Sequence, residues 1–95
     1  MNLGIVIGTV VASQKDEKLS GGKLLVVQEM GVDGKPKDRY AVAVDSVGAG
    51  VGEVVLVAHG GSARQTEATK SRPVDSVIMA IVDMLEVHGK VIYQK

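Results

Sequence analysis

The residues best suited to chemistry in this sequence include a glycine-rich stretch near its middle. Gly48, Gly50 and Gly52 form a G-x-G-x-G pattern, which superficially resembles a dinucleotide fingerprint. That fingerprint must open a helix, because the helix N-terminus binds the pyrophosphate. Here the glycines lead into Val-Val-Leu-Val at 54–57, which is typical of a strand, and the P-loop spacing G-x-x-x-x-G-K is absent. We therefore expect these glycines to supply positive φ angles or close backbone contact instead of binding phosphate.

Two carboxylates, Asp45 and Glu53, flank this glycine loop. Paired carboxylates carry out general acid–base catalysis when a pocket perturbs their pKa values. Nothing in the surrounding sequence indicates such a pocket, and charged residues at strand ends are usually solvated or cap nearby amides. We therefore expect each to be solvated or to cap local amides, and neither to act in catalysis.

The remaining chemical groups are two histidines, several serines and one arginine in a polar loop. His59 and His88 lie far apart and have no metal-ligand spacing, and the chain has no cysteine for a disulfide, a zinc thiolate or a thiol nucleophile. Ser62 follows His59 closely, but without a G-x-S-x-G motif it is better explained as a helix N-cap. Arg64 is suited to an anion or to a carboxylate or carbonyl of another subunit. We expect no catalytic residue, metal or cofactor.

Composition excludes several classes of function. The 95 residues contain 11 Lys and Arg against 11 Asp and Glu, so the formal net charge is zero. A dedicated binder of nucleic acid or anionic membrane would favour a basic excess, and the aromatic content of 2% leaves little for stacking on bases. Residues 1–14 lack the basic start of a signal peptide, and no apolar run reaches the ~18 residues of a membrane span. We expect one soluble, cytoplasmic domain over residues 1–95.

The elements that position these residues read as short strands separated by glycines. Valine occurs 18 times and isoleucine 5 times, and both fit pleated, half-buried surfaces. Strands are predicted at 3–12, 23–30, 40–47 and 53–58, a short helix at 63–68, and at 91–93 a short terminal strand that could add to a neighbour's sheet edge. The segment 74–87 fits both a helix face and a strand face, and we favour one helical turn at 73–76 followed by a strand at 77–87. Gly4 and Gly8 fall on one face of the first strand, which permits a bend or a close backbone approach. The pattern favours a small barrel or sandwich.

Three motifs carry a resemblance to a known family. They are DSVGAGVGE at 45–53, GGSARQ at 60–65 and PVDSVIMAIVD at 73–83, and the segments LGIVIGTVVAS at 3–13 and KLLVVQ at 23–28 fit as well. They resemble the pentameric vertex proteins of bacterial microcompartments, the EutN/CcmL family. The resemblance implies a mainly β fold: a small five-stranded OB-like barrel with one or two short helical turns. It also implies a homopentamer that closes the vertices of a cytoplasmic shell beside hexameric and trimeric shell proteins.

The same resemblance suggests where subunits meet. A residue near a five-fold axis is repeated five times, so like charges there repel and small residues are favoured. We therefore place one set of residues at the subunit contacts or the central opening: Gly48, Ala49, Gly50, Val51, Gly52, Glu53, Ser62, Ala63 and Arg64. The tail GKVIYQK at 89–95 is more similar to the ethanolamine-type members than to the carboxysome ones. The alternative is an OB-like barrel that binds an oligonucleotide or a small ligand, which calls for a basic groove and aromatic platforms.

Overall fold

Seven β-strands are found in the residues that the computed structural model describes, namely 1–13, 22–60 and 75–95. They are β1 (Asn2–Val10), β2 (Leu24–Met30), β3 (Pro36–Asp45), β4 (Val54–His59), β5 (Ser76–Ile81), β6 (Met84–Val87) and β7 (Lys90–Gln94). Five of them close into a barrel in the order β1-β2-β3-β5-β4, and β6 pairs with β7 in a separate sheet. The predicted five-stranded barrel is confirmed, while the predicted helix at 63–68 lies outside the described residues.

The barrel is closed mainly by antiparallel pairing. β1 pairs with both β2 and β4, β2 pairs with β3, and β4 pairs with β5. The last seam is parallel and short, because β3 and β5 meet only at Val44↔Val77 and Asp45↔Ile78. No helix in the described part of the chain is long and apolar enough to cross a membrane.

The core lies inside the barrel and is built almost entirely from small and β-branched side chains. Its buried members are Val6, Leu25, Val27, Ala43, Ala49, Val55, Val57 and Ile78. A second cluster of Val44, Ala58 and Val77 lies beside the parallel seam. Buried and less buried positions alternate along the first part of β2, as the valine-rich sequence predicted, whereas β4 and β5 bury consecutive residues.

A β-bulge in β1 changes which face its glycines occupy. The register shifts between Val6 and Gly8, so Gly4 is opposite Glu29 while Gly8 is opposite Val26. Because those two partners are an odd number of residues apart on β2, Gly4 and Gly8 face opposite sides of the sheet. The prediction that they share one face is wrong. The predicted close backbone approach is confirmed at Gly4, where an added Cβ would lie 3.0 Å from the Gln28 carbonyl oxygen and closer still to Val27 Cγ1, but not at Gly8.

The segment predicted as one strand at 77–87 is two strands. β5 ends at Ile81, and the chain bends at Asp83, whose carbonyl accepts a hydrogen bond from the Lys95 amide at 2.9 Å. β6 then leaves the barrel and pairs with β7 instead of continuing along β4. Asp83 interrupts the apolar run at this bend, but the alternation of Val77, Met79 and Ile81 continues at Leu85 and Val87 and does not reveal the change of partner.

Three other predicted boundaries also differ. Ser76, placed in a helical turn, begins β5, and residues 73 and 74 lie outside the described residues. β3 begins at Pro36 instead of residue 40. The prediction missed this first half of the strand because residues 36–40 are all exposed and show no apolar–polar alternation. The terminal strand at 91–93 is β7, which pairs with β6 of its own chain through a turn at His88 and Gly89, both with positive φ.

Candidate functional site

Two backbone hydrogen bonds hold the glycine loop at 46–53 against β1. The Gly52 amide donates to the Val6 carbonyl at 2.8 Å, and the Val6 amide donates to the Glu53 carbonyl at 3.0 Å. Gly48 and Gly52 have φ angles of 77° and 94°, in the left-handed region that favours glycine. The expectation that the glycines supply positive φ is thus confirmed at these two positions, and Gly50 is not one of them.

The two flanking carboxylates cap amides of this loop, which is one of the two roles expected for them. Asp45 Oδ1 accepts hydrogen bonds from the amides of Val47 at 3.0 Å and Gly48 at 3.1 Å. Glu53 Oε1 accepts one from the amide of Gly50 at 2.6 Å. Each carboxylate therefore fixes the backbone at one end of the loop. The oxygens accept hydrogen bonds from backbone amides, which is a structural role and not that of an acid–base pair.

Glu53 also joins the loop to the C-terminal hairpin. Its Oε2 lies 2.7 Å from Lys95 Nζ, with both side chains partly exposed. The Lys95 ammonium and then the Gly50 amide hold the pKa of the Glu53 carboxyl below its ordinary value of 4.5. The same contact raises the pKa of Lys95 above 10.5. The sequence analysis missed Lys95, because 42 residues separate the partners and no local motif connects them.

The residues predicted for subunit contacts divide into two groups within the loop. The Ala49 side chain is buried in the barrel core, and its carbonyl accepts a hydrogen bond from Lys23 Nζ at 3.1 Å. Gly48, Val51 and Gly52 are exposed and form the outer surface of the loop. The structure thus anchors the loop through Ala49 and presents its small residues outward. Ser62, Ala63 and Arg64 lie outside the described residues.

His59 has a serine partner that the sequence did not indicate. Its Nδ1 lies 2.9 Å from the Oγ of Ser76, the first residue of β5, which pairs with the last residue of β4. Ser76 is buried within a strand ladder. Cross-strand pairing, and not sequence proximity, brings the two together, and a buried strand serine has no access for a substrate. The contact supports the β4–β5 pairing.

A cavity of about 190 Å³ lies near the Asn2 end of the barrel. Leu3, Val27, Ala41 and Val57 give it an apolar lining, and Asn2, Glu29, Arg39, Tyr40 and His59 add polar groups. The Asn2 amide donates to the Glu29 carboxylate, which lies 4.0 Å from Lys37 Nζ. Much of the polar lining is therefore engaged within the chain. Across residues 1–13, 22–60 and 75–95, no group of three or more His, Cys, Asp or Glu side chains is placed to hold a metal ion.

Comparison with known proteins gives a consistent answer. The family described as "Ethanolamine utilisation protein EutN/carboxysome" matches residues 1–83. The carboxysome shell vertex protein CcmL of Gloeobacter violaceus is 43% identical over all of this chain and 95% of its own length. The bacterial microcompartment shell vertex protein EutN of Escherichia coli is 40% identical over the whole of both chains. The two sequence identities are too similar to assign the chain to the carboxysome type or the ethanolamine type. The greater similarity to ethanolamine-type members therefore stays a prediction.

Solved structures agree with the sequence relatives. The structure of Gloeobacter violaceus CcmL superposes with a TM-score of 0.96, covering 100% of this chain and 98% of that one. The GrpN pentameric microcompartment shell protein from Rhodospirillum rubrum is 48% identical with a TM-score of 0.83, covering 92% of this chain and 100% of that one. The barrel, the glycine loop and the hairpin described above thus belong to a fold found in shell vertex proteins.

Proposed function

This chain belongs to the EutN/CcmL family of microcompartment shell vertex proteins, and we propose that it forms a cyclic homopentamer that closes the vertices of such a shell. The family assignment confirms the resemblance seen in the sequence and makes the protein a structural component, not an enzyme. A flat layer of six-fold units cannot close, so five-fold units are needed to introduce curvature. The function we propose is therefore geometric.

One observation carries the pentamer proposal. The GrpN protein, described as a pentameric microcompartment shell protein, shares 48% identity with this chain across 92% of its residues. The chain also has properties expected of such a subunit. Its formal net charge is zero, and the exposed residues of the glycine loop are Val47, Gly48, Val51 and Gly52, which would bring no charge to a crowded symmetry axis.

We further propose which proteins contact this pentamer and where in the cell it lies. Its neighbours would be hexameric and trimeric shell proteins, and its location the shell of a microcompartment in the bacterial cytoplasm. We propose no cofactor, nucleic acid or membrane partner, in keeping with the neutral charge and low aromatic content. The loop at 48–53 would lie at the subunit contacts or at the central opening.

Native mass measurement tests the assembly, and Gly50 is the best position for testing the loop. An added Cβ at Gly50 would lie 3.5 Å from Glu53 Oε1, an ordinary contact, and its φ is not positive. The subunit can therefore accept Gly50→Ala, and we expect Gly50→Leu to keep the barrel but to weaken the pentamer. The wild-type species should have five times the 9.9 kDa mass of one chain.

The outcomes separate the two claims. A stable wild-type monomer would contradict the vertex function. A Gly50→Leu pentamer as stable as the wild type and Gly50→Ala would contradict only the placement of the loop at subunit contacts. Circular dichroism of all three proteins verifies that the barrel is retained.

The alternative function, ligand binding by an OB-like barrel, has the cavity near Asn2 in its favour. Among the described residues that line it, Tyr40 is the only Phe, Tyr or Trp and Arg39 is the only Lys or Arg, which is little for stacking on bases or binding phosphates. Titration of labelled single-stranded oligonucleotides at low salt tests this alternative, and we expect no saturable binding.

A further inference from the structure

The cavity of about 190 Å³ described above lies at one end of the barrel. The described residues that line it belong to four barrel strands, β1, β2, β3 and β4. Asn2 is the first residue of β1, His59 is the last residue of β4, and Glu29 is the last but one of β2. Several strands therefore bring side chains together at the mouth of the barrel, which is a common place for small-molecule sites.

The inner part of this cavity is apolar. We call Val27, Ala41 and Val57 the apolar floor. Val27 and Ala41 are directly opposite each other on β2 and β3, and Val57 is opposite Asn2 across β4 and β1. Val27 and Val57 also belong to the buried core, so the apolar floor is one end of that core. A short aliphatic chain placed on it would be removed from water together with the floor, which is favourable.

The charged groups around the apolar floor are unequally engaged. Among the described residues that line the cavity, Glu29 is the only acidic one and Arg39 is the only Lys or Arg. The Glu29 carboxylate accepts a hydrogen bond from the Asn2 side-chain amide and lies 4.0 Å from Lys37 Nζ. Within residues 1–13, 22–60 and 75–95, the guanidinium of Arg39 has no hydrogen bond and no ion pair. The acidic group of the lining is therefore already partnered, whereas its guanidinium is open to a ligand.

We propose that this cavity binds a short aliphatic carboxylate, with the carboxylate on Arg39 and the hydrocarbon chain on the apolar floor. A guanidinium presents two parallel N–H donors that match the two oxygens of a carboxylate. One cation matches a monoanion, and a phosphate of higher charge would find no second cation among the described lining residues. An amine fits less well, because Glu29 already has Asn2 and Lys37 beside it. The site is additional to the proposed vertex function and does not depend on it.

The size of the cavity limits the length of the ligand. A water molecule takes up roughly 30 Å³ in the liquid, so a cavity of 190 Å³ has room for about six non-hydrogen atoms. Butyrate is a carboxylate of that size, and it is the probe we choose. Because so small a ligand makes few contacts, we expect a dissociation constant on the order of millimolar.

Titration of the whole assembled protein with sodium butyrate, followed by nitrogen–proton correlation spectra, tests the site. We expect saturable shifts confined to amides of β2, β3 and β4 around the cavity. At the same ionic strength, butanol and butylammonium keep the chain but lack the carboxylate, and each should bind at least tenfold more weakly. Binding of butanol as tight as that of butyrate would overturn the role given to Arg39.

A series of chain lengths tests the apolar floor. Each methylene removed from butyrate should weaken binding by up to about fourfold, so acetate should be the weaker ligand. Octanoate is longer than the cavity, and its additional methylenes should each contribute less than those of butyrate. Equal affinities for acetate and butyrate would contradict the contact between the chain and the apolar floor.

Substitution of Arg39 separates a specific site from general attraction of anions. Arg39→Gln should raise the dissociation constant for butyrate at least tenfold. Lys90→Gln removes the same charge from an exposed position on β7, outside the described lining, and should leave binding unchanged. Both positions are exposed, so both variants should keep the barrel, which circular dichroism verifies.

The outcomes distinguish this site from the proposed function. Absence of saturable butyrate binding, or equal binding by wild type and Arg39→Gln, would overturn the carboxylate site and leave the vertex function in place. A wild-type monomer that binds butyrate and loses this binding in Arg39→Gln would contradict the vertex function and support the site.

Discussion

The barrel and the C-terminal hairpin are both antiparallel β-structure, but they are stabilised in different ways. Each barrel strand has a partner on both sides, and Leu25, Val55 and Ile78 are almost completely buried between them. Within residues 1–13, 22–60 and 75–95, the two strands of the hairpin pair only with each other, and neither contains a fully buried residue. The barrel therefore has the contacts to hold its shape as a single subunit, whereas the hairpin depends on what it touches.

The largest effect is expected in the barrel core. Leu25→Ala removes a fully buried side chain, and we expect a loss of about 2–5 kcal/mol in the free energy of unfolding, because a cavity remains. Denaturant unfolding at a fixed chain concentration measures it, since assembly also contributes to stability. Val32→Ala, at an exposed turn position, should stay within ~0.5 kcal/mol. Equal losses for the two would mean that the interior is not the main source of stability.

The second effect tests the bulge in β1. Gly4→Ala would place a Cβ 2.4 Å from Val27 Cγ1 and 3.0 Å from the Gln28 carbonyl oxygen, and we expect it to destabilise the barrel by about 1–3 kcal/mol. Gly8→Ala meets nothing within 4 Å and should be neutral or slightly stabilising. Thermal unfolding of the two variants measures this difference in stability. Similar behaviour would mean that the two glycines have equivalent surroundings, as the uninterrupted alternation of the sequence suggested.

These two glycines also show what the sequence can and cannot predict. The valine-rich alternation and the turn glycines were enough for the strands and the barrel, because strand burial follows a local period of two residues. The bulge after Val6 depends on the register with β2, and the break after Ile81 depends on the change of partner from β4 to β7. Both are choices between distant partners that leave the local pattern unchanged.

The same distinction holds for the candidate site. Capping of loop amides by Asp45 and Glu53 was predictable, because each carboxylate lies within three residues of the amide it accepts from. The Glu53–Lys95 pair joins residues 42 apart and has no local signal. Placement of the loop at a subunit contact came from the family resemblance, and it stays a prediction.

The smallest effect is expected where the two regions join, at Glu53 and Lys95. Glu53→Gln keeps an oxygen for the Gly50 amide but removes the charge, and Lys95→Met keeps chain length without the ammonium. Both should loosen the hairpin while leaving the barrel unchanged, because the pair is partly exposed and surface pairs contribute little. Hydrogen exchange measures this loosening. We expect faster exchange at the amides of β7 in both variants, while the amides of β2 should be unchanged and serve as the internal reference.

The pH dependence of the same pair separates its charge from its packing. Since the folded-state pKa of Glu53 is lowered, its contribution is present above about pH 4.5 and is lost as pH falls through the folded value. Since the pKa of Lys95 is raised, its contribution is present below about pH 10.5 and is lost as pH rises through the folded value. Protection of β7 should therefore weaken at both extremes, more so at low salt where the pair is less screened. The Glu53→Gln protein should lose the acid limb and most of the alkaline limb, because Glu53 is the main cause of the raised pKa of Lys95. Flat protection of the wild-type hairpin across this range would mean that the ion pair does not hold it.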